Sequence, residues 1–143
     1  MEIKDYLMKP TRLYQKIKKN EDCAAHWHRM ASTVSAPAYD RERVAASRNT
    51  NAPFVAPLEK AIDLEQVIQR QYGELAELKR EVTAVIYLLE DPMAQLVLLN
   101  RYIRLMDWED ILIELSLPRA SMFRIHREAL KELEVKYDEK DQS

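Results

Sequence analysis

Between residues 119 and 131 the chain sets four cations, Arg119, Arg124, Arg127 and Lys131, against one anion, Glu128. Arg124, Arg127 and Lys131 follow one another at steps of three and four, so on a helix they share a face. A row of cations of this kind neutralises phosphates and releases counterions, the main source of sequence-independent affinity for DNA. Ser121 and Phe123 lie in the same stretch. Ser121 offers a hydroxyl to base edges or phosphates. Phe123 offers apolar surface, either to a thymine methyl or to a long helix elsewhere in the chain. Arg119, Ser121, Phe123, Arg124, Arg127 and Lys131 are therefore the candidate DNA-binding residues.

Other reactive residue types form no comparable set. Cys23, His26 and His28 are ligand types, but Cys-x-x-His-x-His is not a standard zinc spacing and no fourth ligand is evident. Residues two apart on a helix do not face each other. Glu77 and Glu81 belong on a solvated helix face, and His126 is expected beside phosphate or solvent. No Ser/His/Asp or Cys/His set stands out, so neither an enzyme nor a metal or other cofactor is expected.

The elements that would position the cation row follow from composition and period. The chain has 143 residues and one Gly, where average usage of about 7% would give about ten. Phosphate-cradling glycine loops and Gly-rich hairpin turns are thereby excluded. With 32% charged and 47% apolar residues, the composition is that of a helical protein, of a length for one domain or a small domain plus an extended element. One cysteine, Cys23, allows no intrachain disulfide and fits a reducing compartment. Neither a signal-peptide pattern nor an apolar run of membrane-spanning length is present, so a cytoplasmic location without membrane contact is expected. The net charge of -2 is unevenly spread: residues 1–20 hold six Lys/Arg against Glu2 and Asp5, and residues 57–90 are acidic on balance.

Three helical zones emerge. In the first, about 3–31, Ile3, Tyr6, Leu13, Ile17, Ala24, Trp27 and Ala31 recur at alternating three- and four-residue steps, with Pro10 and Asn20 completing the seam. Pro10 should kink the helix or mark a fresh start, and Asn20 should help fix register. Residues 32–57, with three prolines and no sustained period, read as a loop carrying Arg41, Arg43 and Arg48. In the second zone, about 57–89, Leu58, Ile62, Ile68, Tyr72, Leu75, Val82, Ile86 and Leu89 form a stripe about 50 Å long. The two zones should form an antiparallel pair. Gly73 is tolerated within it at a cost of about 1 kcal/mol.

The third zone begins with Asp91 as cap and Pro92 as first helical residue. A helix should run to about Arg104 with Leu96, Leu99 and Ile103 inward. Asp107 should cap Trp108–Leu115, Ser116-Leu117-Pro118 should form a turn, and a last helix should run from Arg119 to about Tyr137 before residues 138–143 fray. A short helix, a three-residue turn and a second helix are helix-turn-helix geometry. Trp108, Ile111, Leu112, Leu115, Leu117, Met122, Ile125 and Ala129 or Leu130 would be buried. The fold class expected is all-α: a long, coiled-coil-like helical hairpin over 1–90, then a helix-turn-helix domain over 91–137.

The stretch WEDILIELSLPRASMFRIHREALKEL resembles region 4 of sigma-70-type factors, the domain that reads the -35 promoter element. The order Trp108-Glu109-Asp110-Ile111, Leu115, Leu117, Arg119, Met122, Ile125, Ala129 and Leu130 follows that motif. Over most of its length the chain is more similar to small phage and prophage proteins with a region 4-like end, the ArpU- and RinA-like late transcription regulators and a related phage family of unknown function. The shared features are the IKDYL-like opening, RERVAASRNTNA, IDLEQVI…ELKREV, Arg101-Tyr102 before Trp108-Glu109-Asp110-Ile111, and RIHREAL at 124–130. Ser116 stands where sigma factors often have Gly, Pro118 where a Ser/Thr cap is usual, and Ala120 where an acidic base-reading residue is usual. No sigma region 2 precedes the motif. The resemblance implies a DNA-binding transcription regulator in a bacterial host cell, with double-stranded DNA as partner and host RNA polymerase or a second copy of the chain as further partners. The alternatives are a small terminase-like DNA-packaging protein and a polymerase-binding adaptor without DNA contact.

Overall fold

A computed structural model describes the backbone of residues 2–48 and 53–142 and the side chains of 2–33 and 53–141. The described residues are mostly helical and contain no strand, so the fold is all-α. The elements are α1 (Ile3–Leu7), α2 (Lys9–Arg48), α3 (Val55–Ile86), α4 (Pro92–Leu98) running into a π-helical turn (Leu99–Ile103), α5 (Trp108–Leu115) and α6 (Arg119–Gln142). Among the described residues no helix is long and apolar enough to cross a membrane.

Two compact units are formed, Gln15–Gly73 and Met1–Tyr14 with Glu74–Ser143. The boundary expected at residues 90/91 falls inside the second of these.

Within Gln15–Gly73, α2 and α3 form an antiparallel hairpin. Asn20 Nδ2 donates to Gln71 Oε1 at 2.9 Å, the Tyr72 hydroxyl donates to Glu21 Oε2 at 3.1 Å, and His28 pairs with Glu65. As the residue number rises on α2 it falls on α3. Ile17, Ala24 and Ala31 are buried at seven-residue steps opposite Ala61 and Ile68. The alanines leave room for close approach, and Asn20 and Gln71 satisfy each other at the half-buried edge of the seam. The seam on α3 lies one residue away from part of the expected stripe. Ala61 is fully buried while Ile62 is 44% exposed, and Gln71 rather than Tyr72 occupies the seam. Size misled here: this seam is lined by alanines, and the small Ala61 takes the buried position expected for Ile62.

The expected loop at 32–57 is also corrected. The helix continues through Arg48, and α3 opens at Val55. The stretch Asp40–Arg48 is rich in Arg, Glu and Ala, which are good helix formers. Residues 49–52, and the side chains of Arg41, Arg43 and Arg48, lie outside the described residues.

In the other unit, α1 ends at Leu7 and α2 restarts at Lys9. Pro10 thus sits in a first turn, where its missing N–H costs nothing, and it is buried. Ile3 and Leu7 pack with Val82, Val85, Ile86 and Leu89 of the α3 end, Val97 and Leu98 of α4, Ile111 of α5, and Met122, Ala129 and Leu133 of α6. Asp91 caps α4 by accepting from Met93 N at 3.3 Å, with Pro92 behind it. Leu96, expected inward, is 42% exposed, and Val97 and Leu98 take the core positions. Beyond Leu98 the helix widens by one residue, Arg104 N donating to Leu99 O at 2.9 Å, so a single 3.6-residue period does not hold to Arg104. Lys136 Nζ donates to Leu88 O at 2.9 Å, and the Tyr6 and Tyr137 rings lie 5.2 Å apart. These contacts dock the later part of α6, which continues helically through the expected frayed tail to Gln142.

Candidate nucleic-acid interface

The turn between α5 and α6 is built by its backbone. Ser116 is left-handed, with φ 53°. Its N–H reaches Ile113 O at 3.3 Å, and Leu117 N–H reaches Leu112 O at 3.0 Å. This reciprocal pair closes the helix C-terminus and lets Leu117 pack against the core beside Leu112. Asp107 occupies the cap position of α5 with extended backbone, but its side chain makes no capping bond. Ile111 is fully buried, which anchors α5 by about 1.5–3 kcal/mol.

On α6 the buried positions are Met122, His126, Ala129 and Leu133, at steps of four, three and four. This spacing fixes the helix rotation. It turns Arg124, Arg127 and Lys131 to solvent on the far side, where none of them makes an ion pair among the described residues. Asp91, Glu128 and Glu132 line a depression with Ala94, Ile125 and Ala129 on the flank of α6. The cation row therefore has a definite edge.

The other candidates are placed differently. Arg119 pairs with Glu109 of α5. Ser121 is half-buried. Phe123 is half-buried against the core, its ring 5.0 Å from that of Trp108 at 57°. An aromatic at this step from Met122 lies at the margin of the buried face, within reach of the first residue of α5.

His126 is a correction of a larger kind. It is 8% exposed, not beside solvent. Its Nε2 lies 2.7 Å from the Tyr102 hydroxyl, and its ring meets Trp108 edge-on at 4.8 Å. Burial, with the nearby charges of Lys4 and Arg101, lowers its pKa to about 4, so it is neutral at pH 7. Burial likewise raises Tyr102 to about 12. Arg101 places its guanidinium 4.5 Å from the Trp108 ring centroid and donates to Met106 O at 3.0 Å. Nearby, Arg104 donates to both Glu114 oxygens at 2.8–2.9 Å and to Asn100 Oδ1, while Asn100 Nδ2 donates to Glu114 at 3.0 Å. The π-helical turn thus supplies the polar bonds that hold α5 and α6 from behind. The family resemblance flagged Arg101-Tyr102, but not the bond from Tyr102 to His126, 24 residues away.

The arrangement presents an exposed cationic helix face, fixed in rotation by a buried polar and aromatic contact set. Cys23, His26 and His28 are exposed on the other unit, His28 held by Glu65 and His26 edge-on to Trp27 at 5.6 Å. A family model whose description is a protein of unknown function matches residues 34–134. No curated protein and no solved structure matches.

Proposed function

The chain belongs to the DUF1492 family, whose function is unknown, and from this geometry we propose that it is a sequence-specific DNA-binding transcription regulator of phage type, acting without catalysis through the α5–turn–α6 unit. The observation that carries the reading is the pairing of two faces on α6. Met122, Ala129 and Leu133 are sunk in the core, while Arg124, Arg127 and Lys131 stand exposed and without ion pairs among the described residues. A recognition helix docked in a major groove needs that division, with flanking cations on phosphates. The short α5, the left-handed turn at Ser116 and the length of α6 fit the same geometry. Double-stranded DNA in the cytoplasm of a bacterial host is the proposed ligand. The α2–α3 hairpin is left for protein contact, with RNA polymerase or a second copy as its proposed partner.

The test is selection from a pool of genomic fragments at two salt concentrations. Retention of a distinct fragment at the higher salt, lost in Arg124→Ala and Arg127→Ala, supports the proposal, and a fragment lying at a promoter supports regulation. No retention at low salt refutes it, since phosphate contacts are strongest there.

A further inference from the structure

Of the cations proposed to face DNA, Arg119 alone has an internal anion among the described residues. It is the first residue of α6, and Glu109, the second residue of α5, holds its guanidinium across the turn. Both side chains are more than half exposed, at 58% and 60%. An ion pair this open contributes little to stability and exchanges partners readily. A carboxylate and a phosphate present the same kind of acceptor to a guanidinium. Asp110, the next residue, is also exposed, carries the same charge and makes no ion pair among the described residues.

We propose that Glu109 occupies the place of a DNA phosphate on Arg119, competes with the duplex for it, and so sets how strongly the protein discriminates specific from non-specific DNA. This rests on the proposed DNA-binding function. A competitor inside the protein weakens most the encounters that rest on phosphate contacts alone. A specific site, which adds base contacts to hold α6 in the groove, displaces Glu109 more completely.

The experiment measures binding of a labelled random-sequence duplex by anisotropy over a range of monovalent salt, with thermal melting of each variant. Glu109→Gln should tighten non-specific binding about two- to five-fold and steepen the slope of log affinity against log salt by about 0.9, one added phosphate contact. Asp110→Asn, which removes an equal charge from the adjacent position, should give less than half of either effect. In an Arg119→Ala background the effect of Glu109→Gln should fall to that of Asp110→Asn. Glu109→Asp, which withdraws the carboxylate but keeps its charge, should also tighten binding, and it serves as the second variant if Glu109→Gln melts early. If the Glu109 variants match Asp110→Asn, weaken binding, or keep their gain without Arg119, the competition is refuted, while loss of binding in Arg124→Ala/Arg127→Ala leaves the DNA-binding function standing. If the wild type and Glu109→Gln both bind no duplex at the lowest salt, the function itself fails and the competition with it.

Discussion

The Tyr102 hydroxyl and His126 Nε2 lie 2.7 Å apart behind the cationic face of α6. One group comes from the π-helical turn and the other from the middle of α6, so the bond fixes the rotation of the helix that carries Arg124, Arg127 and Lys131. Orientation of an exposed surface here depends on a buried polar contact.

Burial of His126, with the charges of Lys4 and Arg101 nearby, makes stability depend on pH. Unfolded, His126 takes up a proton near pH 6.5; folded, it does so only near pH 4. Between these values the unfolded chain holds the extra proton, so stability is level above pH 6.5 and falls as pH drops toward 4. The full difference is about 3 kcal/mol. Urea unfolding at pH 7.5, 6 and 5 should show a larger fall for wild type than for His126→Asn, which lacks the group. Equal falls would contradict the account.

Glycine is absent where the turn favours it and present where the helix does not. Ser116 adopts φ 53°, and Ser116→Gly should stabilise the protein by about 0.5–1 kcal/mol. Gly73 lies within α3, and a Cβ there would meet nothing within 4 Å. Gly73→Ala should therefore add a similar amount. Thermal melting of both single variants and their combination checks this, with near-additive gains expected.

The hairpin seam is close-packed by small residues. Ala24 is 5% exposed, and Ala24→Leu should cost about 1–3 kcal/mol by overpacking. Ile62→Ala, one residue off the seam and 44% exposed, should change stability by under about 0.5 kcal/mol. Chemical denaturation of the two variants distinguishes the observed register from one centred on Ile62.

Met122 is fully buried beneath the turn. Met122→Ala should cost about 2–5 kcal/mol, against under about 0.5 kcal/mol for Arg124→Ala on the opposite face of the same helix. A reversed order in denaturant midpoints would mean α6 is rotated from its position here.

The sequence made the all-α class, the α5 and α6 starts, the Asp91–Pro92 cap and the seam of the first helix legible, because each rests on local spacing or a cap residue. Ile3, Pro10, Ile17, Ala24 and Ala31 are all buried at the expected steps. What failed depended on tertiary contacts. Ile62 and Leu96 are large and apolar, yet the packing partner selects Ala61 and Val97 beside them. His126 looked solvated because its partner Tyr102 is 24 residues away. Arg119 looked free because Glu109 meets it only once the turn has closed. The helical continuation to Arg48 was hidden by Pro37 and by the lack of a sustained apolar period in the stretch.

The most direct test of the central claim is the salt dependence of duplex binding by wild type and by Arg124→Ala/Arg127→Ala, both checked for unchanged melting. Wild type should bind with affinity falling steeply as salt rises. The double variant should bind more weakly at low salt, with a slope shallower by about 1.8, two phosphate contacts at about 0.9 each. Equal slopes and affinities, or no binding by wild type at low salt, would contradict the assignment of this face to DNA.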